Sequence, residues 1–130
     1  MASQVVYVDT SALAALLVDQ PEREALIRWL DATDADLVAC DLLETELRRL
    51  AVREQIDQVL VTQILEGVSL ATLDRSIMRS AGFLPMRYLR SLDAIHLEAA
   101  LRLNADAILT YDARLQQAAQ EVGLEVIAPK

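Results

Sequence analysis

Two short apolar runs, each closely followed by an aspartate, constrain this chain more than any other feature. Val5-Val6-Tyr7-Val8 runs directly into Asp9, and Ala107-Ile108-Leu109-Thr110 stops just short of Asp112. A continuous apolar run of about four residues between polar neighbours reads as a buried strand. Around these runs lie segments of helical periodicity, and strands alternating with helices place the chain in the α/β class. In open α/β sheets ligands bind beyond the carboxyl ends of the strands. Both aspartates fall there.

Read end to end, the pattern predicts strand 4–8, helices 11–18 and 22–31, strand 36–40, and helices 42–52 and 55–66. Strand 67–71, helix 74–82, a loop through 90, helix 92–103, strand 106–110, helix 113–122 and strand 124–127 follow. Pro21 suits a first helical turn, Gly123 a helix C-terminus, and Asp41 and Asp74 read as caps at helix starts. No repeat, low-complexity tract or linker interrupts the chain. Residues 1–130 are therefore expected to form one domain, large enough for a real core.

Two further acids need helical geometry to be understood. In Asp41-Leu42-Leu43-Glu44-Thr45-Glu46-Leu47-Arg48-Arg49-Leu50, residues 42, 43, 47 and 50 form one apolar stripe. At roughly 100° per residue Glu46 falls inside that stripe, while Glu44 and Arg48 project away from it. An inward carboxylate is informative, because burying an unpaired charge costs several kcal/mol or forces protonation. Asp93 opens Asp93-Ala94-Ile95-His96-Leu97-Glu98-Ala99-Ala100-Leu101, apolar around most of its circumference and expected to be a central buried helix with Ser91 as its N-cap. The dipole of that helix favours an acid in its first turn, so Asp93 alone has a structural explanation. So do Asp9 and Asp112, as caps of the helices that follow them.

Together the four acids say more. Two unit charges ~4 Å apart repel by ~4 kcal/mol at an effective dielectric of 20, so a converging set persists only when protons or cations neutralise it. An all-carboxylate set suits Mg²⁺, with Mn²⁺ substituting, rather than zinc. The chemistry that uses such ions is phosphoryl transfer.

At these positions the chain resembles a family. Tyr7-Val8-Asp9-Thr10-Ser11-Ala12-Leu13 is similar to the opening motif of PIN-domain ribonucleases. Glu46-Leu47-Arg48-Arg49, Leu89-Arg90-Ser91-Leu92-Asp93-Ala94-Ile95-His96-Leu97 and Leu109-Thr110-Tyr111-Asp112-Ala113-Arg114-Leu115 resemble the later motifs, in order. The likeness is nearest to VapC-type toxins and spans about residue 5 to Pro129. It implies a three-layer α/β/α PIN-like fold with a mostly parallel central sheet. It also implies a Mg²⁺- or Mn²⁺-dependent endoribonuclease, Asp9, Glu46, Asp93 and Asp112 as catalytic metal ligands, and a cognate antitoxin that sets a basic side chain towards the acids.

The remaining features qualify this expectation. A net charge of −8 argues against a broad basic nucleic-acid face, so RNA would be met by a local groove. The basic groups are almost all arginine, which suits bidentate phosphate contacts. In the non-periodic segment Gly82–Arg90, Arg87 and Arg90 are candidates to meet RNA phosphates, or else are solvated or paired with the acids. Ser11 and Thr110 are expected to orient a water or a carboxylate through their hydroxyls, or to act as local caps. His96 reads as structural, and Glu98 lies around the helix from Asp93. Ile56, Val59, Leu60 and Ile64, with Val61 and Leu65, give segment 55–66 more apolar surface than one face of a small domain needs: core packing is its default role, and a homodimer contact or a groove for a partner is the second. Cys40, the sole cysteine, excludes an internal disulfide and reads as a core residue. No apolar stretch approaches the ~18–20 residues of a membrane span, and no basic secretory leader opens the chain. A cytoplasmic protein is expected.

Two other classes compete. An aspartyl-phosphate phosphatase would need a second aspartate where Asp9-Thr10-Ser11 has serine, and a receiver domain a late lysine, whereas the only lysine is Lys130. A non-catalytic scaffold would be marked by loss of an acid, and all four are present.

Overall fold

The computed structural model describes residues 3–130. Five parallel strands, β1 (Val5–Val8), β2 (Asp36–Cys40), β3 (Ser69–Ala71), β4 (Ala107–Leu109) and β5 (Glu125–Ile127), form one sheet in the order β3-β2-β1-β4-β5. Val6, Tyr7 and Val8 of β1 and all three residues of β4 are buried, whereas β3 and β5 at the edges are exposed at their first residues. The unbroken apolar runs are thus the two central strands, covered on both faces.

Helices α1 (Thr10–Leu17), α2 (Arg23–Ala32), α3 (Leu42–Arg53) and α4 (Gln58–Leu65) connect β1 to β2 to β3 and pack on one another. Helices α5 (Arg75–Ala81), α6 (Ser91–Arg102) and α7 (Ala113–Glu121) serve the return to β4 and β5 and form a second packed group. Right-handed crossovers running in opposite directions from β1 place these groups on opposite faces. The three-layer α/β/α architecture with a parallel sheet is as the sequence predicts.

Local chemistry explains where elements begin and end. Asp57 and Asp74 accept hydrogen bonds from Val59 N (2.9 Å) and Ile77 N (2.9 Å) and cap α4 and α5. Gly123 follows α7 with φ +86°, the left-handed turn that glycine enters at least cost.

Three expectations need correction. The helix predicted from residue 55 starts at Gln58, because Gln55 takes a left-handed φ of 56° between α3 and α4. Asp41 does not cap α3; its Oδ2 instead accepts from Leu73 N at 3.3 Å, tying the end of β2 to the segment after β3. Ser91 is not the cap of α6 but its first helical residue, preceded by Arg90, which makes no side-chain cap bond. In both failed caps the residue sits where a side-chain oxygen cannot reach the second or third amide of the turn.

Candidate metal centre at the sheet switch point

The strand order reverses between β1 and β4, so the crevice at their carboxyl ends is the switch point of the sheet. Asp9 follows β1 directly, and its amide donates to Leu109 O of β4 at 3.0 Å. Its carboxylate is 5 % exposed and held on one side. Oδ2 accepts from Ser11 Oγ (2.7 Å), Thr110 Oγ1 (2.8 Å) and, more weakly, Ser11 N (3.4 Å). Ser11 and Thr110 each have one hydroxyl proton, and both point at Asp9. The 3.1 Å between the two hydroxyl oxygens is therefore a contact and not a third bond.

The same hydroxyls organise the next acid. Ser11 Oγ accepts from Tyr111 N (2.9 Å) and Thr110 Oγ1 from Asp112 N (3.1 Å), locking the turn after β4 to the start of α1. Asp112 Oδ1 accepts from Leu115 N at 2.9 Å and caps α7. Its structural reading is thus correct, yet the cap occupies only one of its two oxygens.

Glu46 lies on the inward stripe of α3, between buried Leu43, Leu47 and Leu50, with its side chain 23 % exposed. Its Oε1 accepts from Thr10 Oγ1 (2.7 Å) and from His96 Nε2 (2.6 Å). His96, fully buried on α6, is bonded on its other side to Tyr7 Oη at 2.8 Å, and Tyr7 Oη lies 3.2 Å from Cys40 Sγ. His96 Nε2 is also 3.7 Å from Asp9 Oδ1. Burial opposes charge on the imidazole, but the Cys40 side chain, the bond to Glu46 and the Asp9 charge outweigh it and raise its pKa to about 10. Reciprocally, burial raises the Glu46 carboxyl, and the bond to His96 more than offsets this, so that it ends below its ordinary range.

Asp93 stands in the first turn of α6, one turn before His96, half-buried and without a hydrogen-bond donor among the described residues. Its carboxyl is raised, first by burial and then by the negative charges of Asp112 and Asp9, with Glu46 adding and His96 opposing. All three other acids act on Asp93 electrostatically; a hydrogen-bonded chain joins Asp9 to Asp112 through Thr110, and His96, hydrogen-bonded to Glu46, stands 3.7 Å from Asp9 Oδ1 as a charge contact. The four stand at one end of the sheet.

The donor set fits a hard divalent cation. Every candidate ligand is a carboxylate, and each retains an oxygen that no protein donor occupies among the described residues: Asp9 Oδ1, Glu46 Oε2, Asp112 Oδ2 and both oxygens of Asp93. As the side chains stand, no three His, Cys, Asp or Glu among the described residues close into a preformed ion cage.

The other candidates fall differently. Ser11 and Thr110 orient a carboxylate, one of the two roles expected of them. Arg87 and Arg90 are exposed and form no ion pair among the described residues, so they are not tied to the acids. Glu98 pairs with Arg102 at 3.2 Å, away from the site as expected. The sequence reading missed Thr10 and the role of His96 in holding Glu46. Signals for both exist: Thr10 adjoins Asp9, and His96 is three residues from Asp93 on the same helical face.

A family model described as the PIN domain matches residues 6–121. Among curated relatives, Ribonuclease VapC35 of Mycobacterium tuberculosis is 37 % identical over 132 residues, covering 96 % of this chain and 97 % of its own length. Ribonuclease VapC46 of the same species is 37 % identical over 127 residues, covering 95 % and 97 %. Among solved structures, VapC20 of M. tuberculosis, a Sarcin-Ricin loop cleaving toxin, superposes with a TM-score of 0.78 at 16 % identity, covering 95 % of this chain and 99 % of that one. VapBC2 from Rickettsia felis, bound to a DNA fragment from its promoter, gives 0.76 at 13 % identity, covering 98 % and 100 %.

Proposed function

This chain belongs to the PIN-domain family, in its VapC group, and from that premise we propose that it is a divalent-metal-dependent endoribonuclease, the toxin of a toxin–antitoxin pair. The observation that carries the reading is the set of four carboxylates at the β1/β4 switch point, each keeping an oxygen free of protein donors among the described residues. Nearly full-length identity to relatives named ribonucleases supports it.

Asp9, Glu46, Asp93 and Asp112 would hold Mg²⁺, with Mn²⁺ as a substitute. Such a cation, when bound, supplies water activation and stabilisation of the leaving oxygen in phosphodiester hydrolysis. The chain's own residues do the positioning. Ser11 and Thr110 fix one oxygen of Asp9, and so set the direction of the other. Thr10 and His96 do the same for Glu46. Hydrogen-bonded carboxylates of this kind lose less entropy on binding a cation than free ones. His96 Nε2 is committed to Glu46, so His96 is a positioning residue here and not the general base. Arg87 and Arg90 would take phosphates of the RNA strand.

The antitoxin has a surface of suitable chemistry. A cleft of about 500 Å³, lined by Ala14, Leu42, Leu50 and Leu92 with Arg49 and Arg53 on its rim and Glu46 at its acidic end, joins apolar area to the acidic site. A partner with an apolar helix and one basic side chain complements both. Exposed Val52, Val59 and Leu60 on α3 and α4 are the candidate homodimer contact. An RNA substrate would be met in the cytoplasm, the location we propose; among the described residues no helix is long and apolar enough to cross a membrane.

The test is incubation of the purified protein with an RNA pool in Mg²⁺, Mn²⁺ or chelator, with mapping of the new RNA ends. Cleavage confined to the divalent arms supports the reading. No cleavage in either ion, with no heat of Mn²⁺ binding by titration calorimetry, would identify a non-catalytic PIN scaffold.

A further inference from the structure

Although the chain carries a net charge of −8, the stretch from Arg75 to Leu92 contains no acid and four arginines, Arg75, Arg79, Arg87 and Arg90. It lies between Asp74 and Asp93, so a locally cationic strip leads directly into the helix that carries a site carboxylate. None of these arginines forms an ion pair among the described residues, whereas Arg48, Arg53 and Arg102 elsewhere do. In the middle of the strip stands Phe83, 81 % exposed, a larger fraction than any other large apolar side chain described. It follows α5 in a turn closed by a hydrogen bond from Phe83 N to Ser80 O at 3.0 Å. The neighbouring aromatic, Tyr88, is committed elsewhere, with its hydroxyl on Glu121 at 2.9 Å. Beside the turn, between α5 and α6, a recess of about 330 Å³ is walled by Met78, Leu84, Met86 and Ile95, with Arg90 and Ser91 on its polar side.

An exposed aromatic among arginines that form no ion pair among the described residues presents a chemistry that matches one ligand class closely. Single-stranded nucleic acid is bound by cationic groups that follow the backbone and by aromatic faces on which unpaired bases stack. An acidic protein partner would use the arginines but leave the ring without a planar group to cover it, and an apolar helix would use the ring but leave the arginines unsatisfied.

We propose that Phe83 is a stacking platform for an unpaired base of the RNA, with the arginines of residues 75–90 holding the phosphates of the same strand. The strand is thereby steered along α5 and the Gly82–Arg90 loop towards Asp93. This assignment rests on the endoribonuclease reading and adds where the substrate is held.

Two variants test it, Phe83→Ala and Phe83→Trp, measured with the parent chain in Mn²⁺. Because Phe83 is almost fully exposed, neither should shift the melting temperature. Cleavage of an unstructured RNA oligonucleotide should show KM raised about 5- to 150-fold in Phe83→Ala, the loss expected for one stacked base, with kcat little changed. Phe83→Trp should retain parental KM. The heat of Mn²⁺ binding to the RNA-free protein, which involves no aromatic ligand, should be equal in all three. In a separate arm with chelator, Arg87→Ala should lower the slope of log affinity against log salt by about 0.7, the value for one phosphate of a single strand. Parental KM in Phe83→Ala, or an equal loss in Phe83→Trp, would overturn the proposal while leaving the nuclease reading intact. A parent chain that cleaves no RNA would bring down that reading and this one with it. Unchanged RNA kinetics in Phe83→Ala, together with weakened binding of a co-purified protein partner, would reassign the face to protein recognition and overturn the proposal.

Discussion

Asp93 is the site carboxylate with the fewest internal partners and the most adverse surroundings. Burial and three neighbouring acids raise its pKa, so its ionised form is disfavoured in the fold relative to the unfolded chain. Without divalent cation, stability is therefore lost as pH rises through the raised pKa and regained as pH falls through it. Asp93→Asn keeps the shape and removes the charge. Its metal-free melting temperature should equal or exceed the parent's at neutral pH, even after losing roughly 0.3–1 kcal/mol of helix-dipole interaction. Mg²⁺-dependent RNA cleavage should fall by orders of magnitude. A variant that melts lower yet cleaves normally would show Asp93 to be a helix-start residue and nothing more. His96 has the opposite character. It bridges Tyr7 and Glu46 from a fully buried position, so His96→Ala leaves a cavity and a half-buried carboxylate without its partner. The expected cost is about 3 kcal/mol, at the low end for a broken buried pair because Glu46 keeps some solvent. Since the His96 pKa is raised from its ordinary 6.5 to about 10, its charge-dependent contribution is complete below pH 6.5 and is lost as pH climbs towards 10. Denaturation in chelator across that range should show the gap between parent and variant narrowing as pH rises.

At the level of elements, helix starts separate capping from site chemistry. Asp74 caps α5 through Ile77 N and touches nothing in the acid cluster. Asp74→Ala should cost about 1 kcal/mol and leave cleavage unchanged. Asp112 would do both jobs, since Oδ1 caps α7 while Oδ2 is free of protein donors among the described residues. Asn is as good an N-cap as Asp, so Asp112→Asn should keep the melting temperature and lose activity, whereas Asp112→Ala should lose activity and about 1 kcal/mol. Equal melting temperatures for the Asn and Ala variants would show that the cap contributes no measurable stability. Elements also account for what the sequence misassigned. A serine or aspartate before an apolar periodic segment resembles a cap, but capping depends on extended backbone at that residue. Asp41 has φ −55° and ψ −25°, already helical, so its carboxylate is carried away from the first-turn amides and towards Leu73.

For the whole molecule, the order β3-β2-β1-β4-β5 makes an acidic crevice at one end of the sheet and leaves apolar side chains exposed on α3 and α4. Val52, Val59 and Leu60 are about half exposed, and Val61 beside them is buried. Segment 55–66 therefore divides its apolar residues between core and surface. If the surface part joins two copies, Leu60→Glu should convert a dimeric mass at micromolar concentration to a monomeric one, with the fold intact. A monomeric mass for the parent chain without antitoxin would refute the contact. The crevice makes a second prediction at this scale. Mg²⁺ binding only to the folded state should stabilise it by about 2.7 kcal/mol at a hundred times Kd and so raise the melting temperature with concentration, and Asp93→Asn should flatten the response.

Chain-local periodicity is enough to determine the class of this fold and which acids are candidates for its site. Apolar runs of about four residues specify strands covered on both faces; the 3.6-residue stripe turns Glu46 inward; and acids after strands and at helix starts specify hard oxygen donors. Each depends only on neighbours within a turn or a strand. Tertiary structure alone decided which distant groups meet. Thr110 donates to Asp9 across a separation of 101 residues, and His96 meets Glu46 across 50 and Tyr7 across 89. Those bonds exist because β1 and β4 are neighbours at the switch point and α6 packs on the sheet against β2, and no local period encodes that adjacency. His96 thus reads as a core histidine in the sequence and becomes the support of Glu46 in the fold, since a buried imidazole takes its role from the partners that packing brings to its two nitrogens.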